Sequence, residues 1–169
     1  MPEIRAIGLE YIKIGDVGAG GGMGDTLAAI GQTYKDTAEL VQADPEVTEF
    51  YVEEADDPVE ELTTKGVSEL RWGVIDMTPA NMVKVLGGTV SGTAPNDSWN
   101  APSVTPEIEQ SIEVKDKKTG RVMQFPRCKI RAKIDWKLAR TGIAIVSVVA
   151  KILVPTDGTT APIIWKPGA

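Results

Sequence analysis

Strict alternation over residues 127–138 constrains the fold of this chain more than any other feature. One series is apolar and comprises Cys128, Ile130, Ala132, Ile134, Trp136 and Leu138. The other is charged and mostly basic, and comprises Arg127, Lys129, Arg131, Lys133, Asp135 and Lys137. Because successive side chains of a β-strand point to opposite faces, the segment predicts a long strand with one face in a core and a basic face outside.

A second apolar segment, residues 143–154, follows the turn sequence Arg140-Thr141-Gly142. It is apolar on both faces, which is typical of a strand that is covered on both sides. Pro155 cannot donate a hydrogen bond to a sheet and therefore ends the segment. The two segments predict a long hairpin at the centre of the core.

The same periodicity predicts shorter strands elsewhere. Residues 108–115 and 122–125 form a hairpin across the turn 116–120, and residues 37–42 and 47–53 pair across Ala43-Asp44-Pro45. Further strands are expected over residues 4–14, 67–76 and 163–165. One helix is predicted: Thr78 is a good N-cap, Pro79 suits the first helical position, and Gly87-Gly88 can end it.

These elements predict a single domain over residues 1–169. The expected fold is mainly β, with two packed antiparallel β-sheets (a sandwich or partial barrel), one flanking short helix and extended loops or arms at residues 15–24, 55–66 and 91–103. The first of these loops is rich in glycine. It matches neither a dinucleotide-binding nor a P-loop pattern, since Met23 replaces a required glycine and Asp25-Thr26 replaces Lys-Ser/Thr. We predict a flexible arm there.

Little in the composition favours catalysis. The chain has no His and one Cys, so imidazole chemistry, zinc clusters and an internal disulfide are excluded. Adjacent carboxylates such as Glu53-Glu54 are typical of solvated loops, and 5% aromatic residues is poor for a sugar site. We expect no enzyme activity, no cofactor and no metal. No leader or membrane-spanning apolar run is visible, so we expect a soluble cytoplasmic product.

Charge is distributed very unevenly. The net charge is −6, yet residues 44–61 hold nine acids and no base, whereas residues 115–140 hold ten bases and two acids. The opposite charges can pair within one subunit or lie solvated, or they can join unlike surfaces of two copies, which generates rings or filaments. Nucleic-acid binding by the basic face is disfavoured, because aromatic side chains are not interleaved with the bases and the whole chain is acidic.

The order of these elements resembles the tail tube (major tail) proteins of long-tailed bacteriophages. The resemblance covers nearly the whole chain and rests on residues 25–31, the strand pair ending at residues 48–54, the Asp-Asp-Pro loop at 56–58, the strand–helix unit 70–88, the loop around Trp99, and the last hairpins up to residues 152–155.

The resemblance implies a specific assembly. Six copies form a ring, rings stack into a tube, and DNA passes through an acidic lumen without specific binding. It also implies contacts with the other tail proteins (tape measure, terminator and distal tail), no membrane, production in the host cytoplasm and a final place in the tail of the virion.

Two sets of site residues follow as predictions. Subunit contacts are expected at the 55–66 arm, the 15–24 loop and the basic strand face, with Asp56, Asp57, Glu60 and Glu61 opposite Arg127, Lys129, Arg131 and Lys133. Candidates for the lumen are Glu107, Glu109 and Glu113, or Glu49 and Glu53. The alternatives are a small β-domain that binds a partner protein in a virion, such as a head–tail connector or tail terminator, and a sugar-binding accessory domain.

Overall fold

Twelve strands, one short α-helix and a single 3-10 turn (Ala19–Gly21) make up the regular structure of residues 5–168, the part of the chain that the computed structural model describes. The helix is α1 (Pro79–Leu86). The strands are β1 (Leu9–Gly15), β2 (Gln32–Thr33), β3 (Glu39–Gln42), β4 (Glu46–Val52), β5 (Ala55–Thr64), β6 (Ser68–Ile75), β7 (Thr89–Ser91), β8 (Ser98–Asn100), β9 (Ile108–Asp116), β10 (Val122–Asp135), β11 (Ile145–Ile152) and β12 (Ile164–Lys166). The predicted fold class, mainly β with antiparallel sheets and one short helix, is confirmed.

One curved sheet of eight strands forms the body. Its order is β1-β9-β10-β11-β6-β2, with β12 beside the start of β10 and β3 beside β6. The two ends of this sheet approach each other, because Ile14 and Ala28 exchange backbone hydrogen bonds of 2.9 Å just before the chain enters β2. The sheet is therefore a nearly closed barrel, open along the rest of the seam between β1 and β3.

The predicted central hairpin is present as β10 and β11, which pair from Cys128–Ile152 to Asp135–Ile145. β10 is longer at its start than predicted, because the 122–125 segment joins it across an irregularity between Phe125 and Cys128. Pro126 lies at this irregularity, where the missing N–H costs no ladder hydrogen bond. At the other end the strand stops at Asp135, earlier than the predicted residue 138.

The core lies inside the curved sheet and is closed by the helix. Its members are apolar side chains on alternating positions: Ile12, Ile14, Ile30, Leu70, Trp72, Val74, Val85, Ile112, Phe125, Cys128, Ile130, Val146, Val148 and Ala150. α1 contributes Val85 to this cluster. The predicted caps are confirmed: Thr78 accepts a hydrogen bond from the Asn81 backbone, and Gly87 ends the helix at a φ of 73° that favours glycine.

The strands between residues 37 and 66 differ from the prediction. β3 does not pair with residues 47–53. It pairs with β6 instead, with Leu40 opposite Leu70. β4 pairs instead with β5, so the expected acidic loop 55–66 is largely a strand. Pro58 is tolerated in that strand because a two-stranded ribbon leaves its outer edges unpaired. We call β4, β5 and the turn Glu53-Glu54 the arm.

The other two expected loops are also more ordered than predicted. Residues 91–103 contain part of a small hairpin, β7 and β8, and the Trp99 indole donates a hydrogen bond of 2.8 Å to the Gly87 carbonyl. Residues 15–24 form a loop but not an extended arm. This loop lies against its own chain, where the Thr156 hydroxyl donates to the Gly20 carbonyl at 3.2 Å.

Candidate functional site

Groups of three or more His, Cys, Asp or Glu side chains that could hold a metal ion are absent from residues 5–168. Cys128 is buried in the core, and burial raises the pKa of its thiol to about 12, which keeps it protonated. The features described below are surfaces.

The arm is the most unusual surface. Every residue of β4 and β5 is exposed, although several are large and apolar. Phe50 and Leu62 lie on one face of the ribbon, since Thr48 pairs with Leu62 and Phe50 with Glu60. The exposed fraction is 49% for Phe50 and 57% for Leu62. A two-stranded hairpin that packs on nothing is marginally stable in water, so this ribbon has the properties of a segment that is completed by a partner.

Acidic side chains cover the same ribbon. The predicted contact residues Asp56, Asp57, Glu60 and Glu61 all lie on β5, and the lumen candidates Glu49 and Glu53 lie on β4 and at the turn. Across residues 5–168, no lysine or arginine forms an ion pair with any of these carboxylates. The negative charge of the arm is thus uncompensated within the described chain.

The predicted basic strand face divides into two halves. Arg127 donates to both carboxylate oxygens of Glu109, at 2.8 and 3.0 Å, and to the Val154 carbonyl. Lys129 forms an ion pair with Glu107. These two bases are therefore neutralised within the subunit, as the intramolecular alternative predicts, and the bidentate contact holds the pKa of Glu109 below its usual value.

The second half of the face, Arg131 and Lys133, is exposed. No acidic side chain of the described residues lies within ion-pair distance of either. Arg131 pairs across the sheet with Val149, and Val149 pairs with Arg71 on the next strand. Arg71 forms an ion pair of 2.8 Å with Glu69, so that acid is already engaged. We call Arg131 and Lys133 the open basic pair.

The remaining lumen candidates are engaged inside the subunit: Glu109 and Glu113 lie on β9, and Glu107 lies just before it. Glu107 and Glu109 carry the two ion pairs just described. Glu113 accepts hydrogen bonds from the Tyr11 hydroxyl at 2.8 Å and from the Gln124 amide at 2.7 Å. Burial, with a further contribution from Glu113, raises the pKa of Tyr11 to about 12. These three acids therefore lie beside bases and polar groups, whereas Glu49 and Glu53 lie on the arm, where all the charged residues are acidic.

One functional candidate was missed by sequence reasoning. The apolar series of residues 128–138 is buried only in its first half, and its second half emerges from the barrel. The exposed fraction rises from 45% for Ile134 to 68% for Trp136 and 84% for Leu138. The expectation that the whole apolar face lies in the core is therefore wrong. We call residues 134–138, beyond the last core contact of β10, the tip.

Comparison with known proteins adds no assignment: no protein-family model matches the chain, and no curated protein matches it. Within residues 5–168, helices of the length and apolar character needed to cross a bilayer are absent. The candidate functional surfaces are the arm, the open basic pair and the tip.

Proposed function

We propose that this chain is a structural subunit that polymerises into stacked rings and forms a phage tail tube, the conduit through which a viral genome is delivered. The observation that carries the proposal is the arm, a ribbon with exposed apolar side chains on a strongly acidic surface and no packing partner among residues 5–168. The resemblance of the whole chain to tail tube proteins implies six copies in each ring.

The charges support contact between unlike surfaces of successive copies. Within residues 5–168, the acids of the arm form no ion pair with a base, and the open basic pair forms none with an acid. A contact of the arm with the open basic pair of the next copy would satisfy both. We take this contact to be heterologous, the arrangement that propagates into rings or fibres instead of ending at a dimer.

The proposal extends to the contents and the partners of the tube. Eight acids on each arm would keep DNA from adhering to any surface that the arms line, so the genome slides without specific binding. Other tail proteins would bind the two ends of the tube. The subunit would be made in the host cytoplasm and end in the virion.

Removal of the arm tests the proposal. β4 and β5 bond only to each other among the described strands, and the Ala43 amide donates to the Val67 carbonyl at 2.9 Å across the base of the arm. A short Gly-Ser linker can therefore replace residues 45–65 without disturbing the barrel. In sedimentation velocity, the full chain should form large assemblies, and the shortened chain should remain a folded monomer. A full chain that stays monomeric at high concentration would contradict the proposal and favour a partner-binding domain.

A further inference from the structure

The open seam of the barrel contains a groove. It has a volume of about 950 Å³ and lies between the edge of β1 and the edge of β3. Its floor reaches the core, since Ile12, Leu70 and Phe125 line it, and Leu9 and Leu40 form its two sides. Leu40 is 40% exposed there. A groove with an apolar floor and a strand edge on each side is suited to an extended apolar segment.

The tip has the matching character. Ile134, Trp136 and Leu138 repeat at every second position, so they share one face when the segment is extended. Residues 136–138 lie outside any strand, and the hairpin partner of β10 begins only at Ile145. Large apolar side chains at this level of exposure, Trp above all, are the kind that anchor protein contacts.

The tip does not fill the groove of its own subunit: Trp136 and Leu138 are 68% and 84% exposed, and neither lines the groove. Leu9, at one side of the groove, pairs with Asp116, which bonds to Arg121 just before β10 begins. The tip follows the other end of β10. A strand rises about 3.3 Å per residue, so the ends of this 14-residue strand lie roughly 40 Å apart.

We propose that the tip of one subunit inserts into the seam groove of a second copy, where it adds an extended segment beside β1 and buries Trp136 and Leu138. We take the contact, which joins two different surfaces, to be heterologous, so that each copy binds one neighbour through its tip and another through its groove. This inference rests on the proposed self-assembly and adds a contact separate from that of the arm, whatever passes through the assembly.

Charge selects the tip over the arm as the occupant. The groove is lined by three acids, Glu10, Asp36 and Glu39, and by two lysines, Lys35 and Lys117. The arm carries eight acids and no base, so like charges would meet at this slightly acidic groove. The tip has no such excess of acid, because it holds one base, Lys137, and one acid, Asp135.

Cysteine cross-linking tests the contact. The variant Leu9→Cys/Leu138→Cys places one thiol in the groove and one on the tip, and the native Cys128 is buried and does not interfere. Under mild oxidation of the assembled protein, we expect a ladder of disulfide-linked dimers, trimers and longer chains that reductant removes. Each single variant should yield no species beyond the dimer, because it offers one thiol per subunit.

Two further pairs decide between occupants. Leu9→Cys/Phe50→Cys should give no ladder, and a ladder from it in place of the Leu138 pair would assign the groove to the arm and overturn the inference. Leu9→Cys/Val104→Cys is a control for random collision, since Val104 is 77% exposed and lies on neither the arm nor the tip. Tubes without a Leu9–Leu138 ladder would overturn this inference alone, whereas a ladder without tubes would overturn only the proposed function.

Discussion

Reversing the charge of the open basic pair, with Arg131→Glu/Lys133→Glu, should weaken assembly while leaving the subunit folded. Both side chains are exposed and have no acidic partner among the described residues. Exposed substitutions of this kind change the free energy of unfolding by no more than about 0.5 kcal/mol. The monomer should therefore unfold at nearly the same denaturant concentration as the native chain.

The expected effect on assembly is much larger. Each exposed ion pair that is lost costs about 1 kcal/mol or less. The new glutamates would also face the acidic arm of the neighbour, and such like-charge contacts cost up to several kcal/mol. A total of about 2–4 kcal/mol per contact corresponds to a roughly 30- to 700-fold weaker association. The effect should shrink as salt is added, because exposed charges are screened.

Sedimentation velocity over a concentration series measures this shift, and denaturant unfolding of the dilute protein measures the fold. Lys118→Glu/Lys166→Glu is the matched control, since it changes the net charge equally at exposed positions away from the face. Equal assembly of the open-pair variant and this control would refute the role of the open basic pair. Restoration of assembly by Glu60→Lys/Glu61→Lys would identify the arm as its partner.

Three further predictions concern the subunit alone and are read by denaturant unfolding. Thr78→Ala removes the helix N-cap and should lower the free energy of unfolding by about 1 kcal/mol, whereas Thr78→Ser should not. Gly21→Ala should lower the free energy of unfolding more than Gly158→Ala. Both glycines have a positive φ, of 84° and 72°, but of the two only Gly21 has a neighbour in the way, since an added Cβ would lie 1.9 Å from the Thr156 hydroxyl oxygen. Hydrogen bonds from Thr119 hold the pKa of Asp116 below its usual value, so this contact stabilises the fold at neutral pH and is lost as the pH falls below the ordinary carboxyl range. With Asp116→Asn, the free energy of unfolding should therefore depend less on pH in the acid range. An unchanged pH dependence would contradict the assignment.

Local signals in the sequence were sufficient for the helix and for the central hairpin. Thr78, Pro79 and Gly87 each have a position-specific role at a helix end, so they define α1 without tertiary information. The alternation of residues 127–138 correctly separates the two faces of β10. Periodicity of this kind identifies which side chains share a face.

Periodicity does not identify what covers a face, and this is why the tip was missed. Ile130 and Trp136 occupy equivalent positions in the pattern, yet Ile130 is 2% exposed and Trp136 is 68% exposed, because the barrel ends between them. The pairing of β4 with β5 was missed for a related reason. Which strands pair depends on register and on competing partners, and β6 takes β3 away from the expected hairpin.

The candidate sites were predicted in part. The asymmetry of charge located both the acidic arm and the basic face, but only the folded chain distinguishes Arg127 and Lys129, which are paired with Glu109 and Glu107, from the open basic pair. That distinction depends on β9 lying beside β10 in one register. Residue spacing along the chain carries no information about such a contact.

Electron microscopy of the purified full chain at increasing concentration tests the central claim most directly. If the arm of each copy binds the barrel of the next, the images should show rings that stack into hollow tubes with a lumen wide enough for duplex DNA. A field of well-folded single particles at every concentration, with an ordered arm in the isolated subunit, would contradict it.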